Sequence, residues 1–111
     1  MIVTGMGVIS PAGFSYPSFF QTLLDAKTVY GPIEAYRDDP QHRIKIGARI
    51  ADESWKAACS DKGLESDGRA AQMAAATACQ AMEDAGLHVQ QGLRIAVVMG
   101  TTMGEIQEEE R

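Results

Sequence analysis

Apolar and polar positions along this chain of 111 residues switch repeatedly between strand-like and helix-like spacing. The first apolar run predicts a strand at residues 2–4. It leads directly into Gly5-Met6-Gly7 and then into Ser10-Pro11. Because glycine permits close chain approach, this bend is expected to be crowded. The order of strand, tight turn and helix is typical of the start of an α/β protein.

Helical spacing of apolar residues indicates three helices. The first is predicted over residues 17–26, with Ser15 as its cap, Pro17 in its first turn and an apolar face of Phe19, Phe20, Leu23 and Leu24. A short helix around Trp55 is predicted at residues 54–60. A long alanine-rich helix is predicted from a cap at Asp67 to Gly86, a residue suited to the left-handed position after a helix.

Two further runs carry strand patterns. Polar residues alternate with Ile44, Ile46, Ala48 and Ile50, which predicts an edge or surface strand with one buried face. Residues 93–100 form a continuous apolar run, which predicts a strand covered on both faces. The segment from Gly31-Pro32 to Pro40 is predicted to be a loop. The acidic residues 105–111 fit either the start of a charged helix or a solvated tail.

Gly5-Met6-Gly7 also has the form of a partial dinucleotide-binding fingerprint. That interpretation requires a third glycine, a helix that opens directly on the turn, and an acidic residue after the second strand. Ser10-Pro11 occupies the third position, and the helix is delayed to about Pro17. No strand that ends in Asp or Glu appears at the expected distance. The pattern therefore favours a structural bend over a nucleotide site.

Three segments in the same order resemble the β-ketoacyl-acyl carrier protein synthases, the condensing enzymes of fatty acid and polyketide assembly. Residues 2–13 resemble the family's opening strand and turn. The helix end Asp84-Ala85-Gly86-Leu87 and the strand and glycine loop at residues 94–104 resemble the segments that follow. The resemblance is weak over residues 30–66. It covers only the N-terminal part of the family pattern.

This resemblance implies a fold and an activity. The fold class is α/β, with the thiolase-like layered α/β/α/β/α architecture, of which residues 1–111 would be a truncated N-terminal part. The activity would be decarboxylative Claisen condensation with malonyl-acyl carrier protein, without a cofactor. The implied partners are acyl carrier protein, the remainder of the ketosynthase chain or a complementary chain, and a homodimeric or heterodimeric ketosynthase partner.

The family's catalytic residues are a cysteine nucleophile and two histidines, and this chain offers poor matches for them. Thr77-Ala78-Cys79 imitates the family's nucleophile motif, but Cys79 falls in the middle of a predicted helix and not on a strand-to-helix turn. We expect Cys79 to be buried and inert, and Cys59 to be an ordinary thiol. His42 and His88 lie in polar turns and are expected to be solvated. The sequence therefore predicts no catalytic side chain and no metal site in this chain.

One candidate substrate-binding residue remains. Met103 matches the family position that limits acyl chain length, although Thr102 stands where the family often has glycine. Met103 is therefore a candidate wall of an acyl pocket, and packing in a core is the alternative role. Asp84 is expected to be a helix-end carboxylate without a catalytic role.

Composition narrows the remaining possibilities. A net charge of −5 and a pI near 4.9 argue against nucleic acid or an anionic membrane as a partner. No apolar run is long enough to span a bilayer, no signal segment precedes the first strand, and the two cysteines are expected to be reduced, so we predict a cytoplasmic protein. Three hypotheses stay open: part of an active ketosynthase, a non-catalytic partner subunit or scaffold of chain-length-factor type, and a small α/β binding module.

Overall fold

The computed structural model describes residues 1–50, 55–56, 68–88, 94–102 and 104. The chain divides into two units. One unit consists of Met1–Gly7 together with Trp55–Arg111, and the other is Val8–Ser54. The first unit contains a long helix, and the second contains a shorter helix, tight turns and a small sheet.

In the Val8–Ser54 unit, the Ser10-Pro11 motif forms a tight turn. The backbone N–H of Ser10 donates to Gly13 O at 2.9 Å, and the N–H of Gly13 donates back to Ser10 O at 3.1 Å. Ser10 Oγ also accepts a hydrogen bond from Ala12 N at 3.2 Å. Proline favours such a turn because its ring fixes φ in advance.

Helix α1, Tyr16–Leu24, starts as the sequence predicts. Ser15 has extended backbone and its Oγ accepts from Ser18 N, while Ser18 Oγ accepts from Ser15 N at 3.2 Å. This reciprocal arrangement satisfies N–H groups that have no partner within the helix. Pro17 lies in the first turn. The helix predicted over residues 17–26 is therefore confirmed, with small differences at each end.

Asp25 closes the C-terminal end of α1. Lys27 Nζ lies 3.0 Å from Asp25 Oδ2, and Gln21 Nε2 donates to Asp25 Oδ1 at 2.7 Å. The hydrogen bond from Lys27, followed by that from Gln21, lowers the pKa of Asp25. Because the pKa is lowered on folding, any stabilisation is present at neutral pH and is lost as the pH falls through that pKa. The chain then turns at Ala26, whose φ is +50°.

A small antiparallel sheet closes the loop that follows. Strand β1, Gly31–Pro32, pairs with strand β2, Ile46–Gly47, with Gly31 opposite Gly47 and Pro32 opposite Ile46. A 3-10 turn, Glu34–Tyr36, lies between them. The strand predicted around residues 44–50 is therefore reduced to β2. Its expected buried face is wrong, since Ile44 and Ile46 are 73% and 62% exposed.

Helix α2, Arg69–Asp84, belongs to the other unit and is rich in alanine, the residue with the highest helix propensity. Its N-terminal cap is Gly68, which makes no side-chain hydrogen bond. The prediction of Asp67 as the cap is therefore wrong. Asp67 itself lies outside the described residues. At the other end Gly86 N donates to Glu83 O and Leu87 N to Met82 O, with Gly86 at φ +64°. This is the predicted glycine-terminated helix end.

Trp55 and Ala76 are the buried apolar residues in the described part of the chain, at 3% and 0% exposure. The guanidinium carbon of Arg69 lies 5.6 Å from the centroid of the Trp55 ring, and Lys56 Nζ lies 5.8 Å from it. These cation–π contacts connect the start of α2 with Trp55. The helix predicted at residues 54–60 lies outside the described residues except for residues 55–56.

Two predicted strands do not form in the described chain. Residues 2–4 and 94–100 have no strand partner there, and Leu93 lies outside the described residues. Val97 and Val98 are 80% and 93% exposed, so the prediction of a strand buried on both faces is wrong for residues 94–100. Such a strand requires neighbouring strands and a layer on each face, and the described residues supply neither.

Gly86 provides a test of the α2 terminus. Gly86→Ala places a Cβ in open space but at a positive φ, so it should lower the free energy of unfolding by about 1 kcal/mol. Gly100→Ala is the control, because Gly100 also faces open space and has no positive φ. Urea denaturation followed by circular dichroism compares the two. Equal effects of the two substitutions would contradict the role of the left-handed turn.

Candidate functional site

The opening glycines lie directly against helix α2, in an arrangement that we call the glycine junction: residues 5–7 and the helix face of Thr77, Ala81 and Ala85. A Cβ added at Gly5 would overlap Ala81 O and lie 2.6 Å from Ala85 N. A Cβ added at Gly7 would overlap Thr77 O. Both glycines are therefore required by the close approach of two backbones, as the crowded bend in the sequence predicts.

The spacing of the two partners explains how the glycine junction fits together. Thr77, Ala81 and Ala85 are four residues apart, so they lie on one face of α2, at about 6 Å per step. Two residues of extended chain also span roughly 6–7 Å. Gly5 faces Ala81 and Ala85, whereas Gly7 faces Thr77, so the opening run travels antiparallel to the helix. Small residues on both sides allow this approach.

Asp84 fixes the glycine junction from the end of α2. Its Oδ2 accepts a hydrogen bond from the backbone N–H of Met6 at 2.9 Å, and Met6 is the residue between the two glycines. A charged acceptor strengthens such a bond. From the sequence, Asp84 was expected only to be a helix-end carboxylate without a catalytic role. The contact joins residues 78 positions apart, so no local pattern could reveal it.

This geometry determines which chemistry the glycine turn can support. A phosphate-binding turn offers backbone N–H groups to an anion. Here the N–H of Met6 is already donated to the Asp84 carboxylate, and that negative charge would repel a phosphate. The glycine junction is thus a backbone contact between a turn and a helix, and it disfavours the dinucleotide alternative.

Cys79 lies within α2, far from the helix N-terminus that begins at Arg69. Cys79 is of intermediate burial, so the expected complete burial is not found. A cysteine is activated by a helix N-terminus or by a neighbouring cation. In the body of α2, Cys79 is not at a helix N-terminus. Its position agrees with the predicted structural role. Cys59 lies outside the described residues.

His42 and His88 are exposed, as predicted. The His42 ring stacks on Tyr36 with ring centroids 4.1 Å apart, and its Nδ1 lies 2.8 Å from Asp39 Oδ2. Neither contact was predicted from the sequence. The spacing of three residues between Asp39 and His42 could have indicated the contact between those two side chains. They order the loop between β1 and β2.

The candidate acyl-pocket residue Met103 lies outside the described residues. Its neighbours form a turn, in which Gly104 N donates to Thr101 Oγ1 at 3.0 Å and Gly104 has a φ of +57°. Thr102 is exposed. The glycine-bearing loop predicted after residues 94–100 is therefore present at these described positions, whereas the role of Met103 stays a prediction.

Within the described ranges, no three His, Cys, Asp or Glu side chains are grouped so that they could share a metal ion. Among the same residues, neither α1 nor α2 has the length and apolar character that crossing a membrane requires.

Comparisons with known proteins identify the family of this chain. The family model described as "Beta-ketoacyl synthase, N-terminal domain" matches residues 1–111. A 3-oxoacyl-acyl-carrier-protein synthase 2 from Coxiella burnetii is 29% identical over 106 residues, which cover 94% of this chain and 25% of the relative. No solved structure matches the chain.

The chain belongs to the beta-ketoacyl synthase family. The matched part is the N-terminal domain of that family, so the resemblance noted in the sequence is confirmed. The chain spans about a quarter of the length of the Coxiella relative.

Substitution of either junction glycine should separate the turn from α2. In Gly5→Ala or Gly7→Ala the added methyl group would overlap backbone atoms of α2, which cannot move aside as the end of a flexible side chain can. Each substitution should therefore lower the free energy of unfolding by about 1–3 kcal/mol. Gly31→Ala is the control, since an added Cβ there meets no atom within 4 Å. Chemical denaturation measures the difference. Junction variants as stable as Gly31→Ala would contradict the close packing.

The bond from Met6 to Asp84 is testable separately. Asp84→Ala removes the acceptor and should lower stability by about 1 kcal/mol and speed hydrogen exchange at the Met6 amide. Asp84→Asn retains an acceptor oxygen and should have a smaller effect. Glu83→Ala is the matched control at the adjacent exposed position. If Asp84→Ala and Glu83→Ala leave exchange at Met6 equally unchanged, the bond does not hold the turn.

Proposed function

We propose that this chain is the N-terminal part of a β-ketoacyl-acyl carrier protein synthase. The complete enzyme would catalyse decarboxylative Claisen condensation of an acyl thioester with malonyl-acyl carrier protein, in fatty acid or polyketide biosynthesis. The observation that carries this proposal is the match of the family's N-terminal domain to residues 1–111. The relative from Coxiella, a 3-oxoacyl-acyl-carrier-protein synthase by name, supports the same activity.

In the reaction, a cysteine thiolate of the complete enzyme would attack the acyl thioester of the carrier protein, so that a new thioester forms on the cysteine and the carrier's thiol is released. The malonyl thioester then loses its carboxylate as CO2, and the two electrons of the broken bond form a carbanion. The carbanion attacks the acyl-enzyme carbonyl, a carbon–carbon bond forms, and the thiolate leaves. Hydrogen-bond donors stabilise the oxyanion of the tetrahedral intermediate.

This chain contributes scaffold and no catalytic residue in our proposal. Cys79 lies in the body of α2, away from the helix N-terminus that would activate a nucleophile. His42 stacks on Tyr36 and lies beside Asp39, in an exposed loop. The nucleophile and the two histidines would therefore come from the part of the synthase that this chain does not match.

The remaining assignments follow from the same proposal. The complete domain would have the thiolase-like layered α/β/α/β/α fold, of which residues 1–111 form an incomplete half. Its partners would be acyl carrier protein and a second ketosynthase subunit, in a homodimer or a heterodimer. We also propose a cytoplasmic location for the complete synthase.

The alternative is a non-catalytic subunit of chain-length-factor type or an interaction scaffold. It would share the fold and the glycine junction but lack the cysteine and histidines elsewhere. The described residues favour neither form, because both alternatives use this region as scaffold. A measurement of condensation distinguishes them.

The activity can be tested in a chimera. The matched quarter of the Coxiella synthase is replaced by this chain, and product 3-oxoacyl-acyl carrier protein and CO2 are measured by mass spectrometry. We expect condensation by the chimera and none by the isolated chain, with the unmodified Coxiella synthase as the reference. Condensation by the isolated chain would contradict the assignment of catalysis to the remaining domain. A folded but inactive chimera would contradict a role in a catalytic synthase.

Met103 provides a prediction about substrate length. In the active chimera, Met103→Ala should extend the range of accepted acyl chains, because a flexible side chain would be removed from the pocket wall. Met99→Ala is the control, since Met99 is 66% exposed and has no proposed pocket role. Competition between acyl thioesters of different length measures the preference. An unchanged preference would assign Met103 to packing alone.

A further inference from the structure

The indole N–H of Trp55 is a buried donor without a hydrogen-bond partner. Trp55 is 3% exposed, and within the described part of the chain its Nε1 is the buried side-chain nitrogen or oxygen that has no partner. Buried polar groups in folded proteins are nearly always paired, so an exception points to a water, an ion or a ligand group that binds there. The donor therefore indicates an acceptor from outside the chain.

Two cationic side chains lie over the ring that carries this donor. The guanidinium carbon of Arg69 is 5.6 Å from the ring centroid, and Lys56 Nζ is 5.8 Å from it. Both residues are exposed, so their side chains can move and admit a ligand from solvent. Both also make other contacts, and we therefore assign to them the attraction of their charge and not a direct hydrogen bond.

The same ring lies at the start of helix α2, because Arg69 is the first residue of that helix. The N-terminal end of a helix carries the positive end of its dipole and favours anions. Gly68 provides no side-chain cap, and no acidic residue stands in the first turn of α2. The two cations and the helix dipole thus favour a negative acceptor for the Trp55 N–H over a neutral one.

We propose that Trp55, Lys56 and Arg69 form a binding site for a small oxyanion of the phosphate type. One oxygen of the ligand accepts the hydrogen bond from Trp55 Nε1, and the two cations attract its charge. A dianion such as phosphate gains more from two cations than a carboxylate does. The net charge of −5 on the chain opposes a large polyanion such as nucleic acid. The site takes no part in the condensation proposed above.

The single tryptophan of the chain allows a direct test. In the isotopically labelled chain, titration with inorganic phosphate at constant ionic strength should shift the indole N–H resonance of Trp55 in a saturable way. Acetate should produce a weaker response, and chloride serves as the reference salt. No saturable shift with phosphate would overturn the site, and saturation by acetate alone would overturn the assignment of a phosphate-type ligand.

Variants of the cations test their part in binding. Arg69→Gln should weaken phosphate binding about fivefold or more, because it removes one of the two charges over the ring. Lys56→Gln should act in the same direction. Arg43→Gln is the matched control at an exposed arginine of the other unit, and it should leave binding unchanged. The amide resonances of α2 report whether each variant keeps its helix.

Trp55→Phe tests the donor itself. The substitution keeps an aromatic ring for the two cations but removes the N–H, so phosphate binding, followed by the phosphorus resonance of the ligand, should be lost. Unchanged binding by Trp55→Phe would overturn the proposal. Equal binding by Arg69→Gln and Arg43→Gln would also overturn it, since phosphate would then bind elsewhere on the chain.

Discussion

The close approach of the opening turn to helix α2 is the constraint on which this unit depends. Gly5 and Gly7 lie where a side chain would enter the helix backbone, opposite Ala81 and Thr77. Two residues of extended chain are about as long as four residues of helix, so both glycines can lie against the same face of α2. Asp84 then holds the intervening Met6 through its backbone N–H. Sequence features at both ends of the chain are therefore explained by a single contact.

This contact also limits the chemistry that the glycine turn can support. A glycine turn that serves as the partner of a helix cannot at the same time present its Met6 N–H to a cofactor phosphate. Cys79 likewise lies within the helix that supports the turn. The two motifs that most resemble functional ones are the Gly-x-Gly turn and the Thr-Ala-Cys sequence, and they lie in the turn and the helix that form this contact. Their position supports our proposal that this region is scaffold.

The sequence predicts local structure in this chain better than it predicts pairing. The two long helices, the serine cap of α1 and the left-handed Gly86 follow from neighbouring residues, and all are present. Strands at residues 2–4 and 94–100 do not form, because a strand requires partners that a local pattern cannot supply. The bond from Met6 to Asp84 and the pairing of β1 with β2 were missed for a related reason. Each depends on residues distant in sequence, and short glycine- and proline-containing strands carry no periodicity.

The glycine junction can be observed directly by nuclear Overhauser spectroscopy of the isotopically labelled chain. We expect contacts from the Gly5 Hα protons to Ala81 and Ala85, and from the Gly7 Hα protons to Thr77. Their order along α2 would also establish the antiparallel direction of the opening run. An absence of these contacts in a chain whose α2 is fully formed would contradict the glycine junction, since the turn would then be independent of the helix.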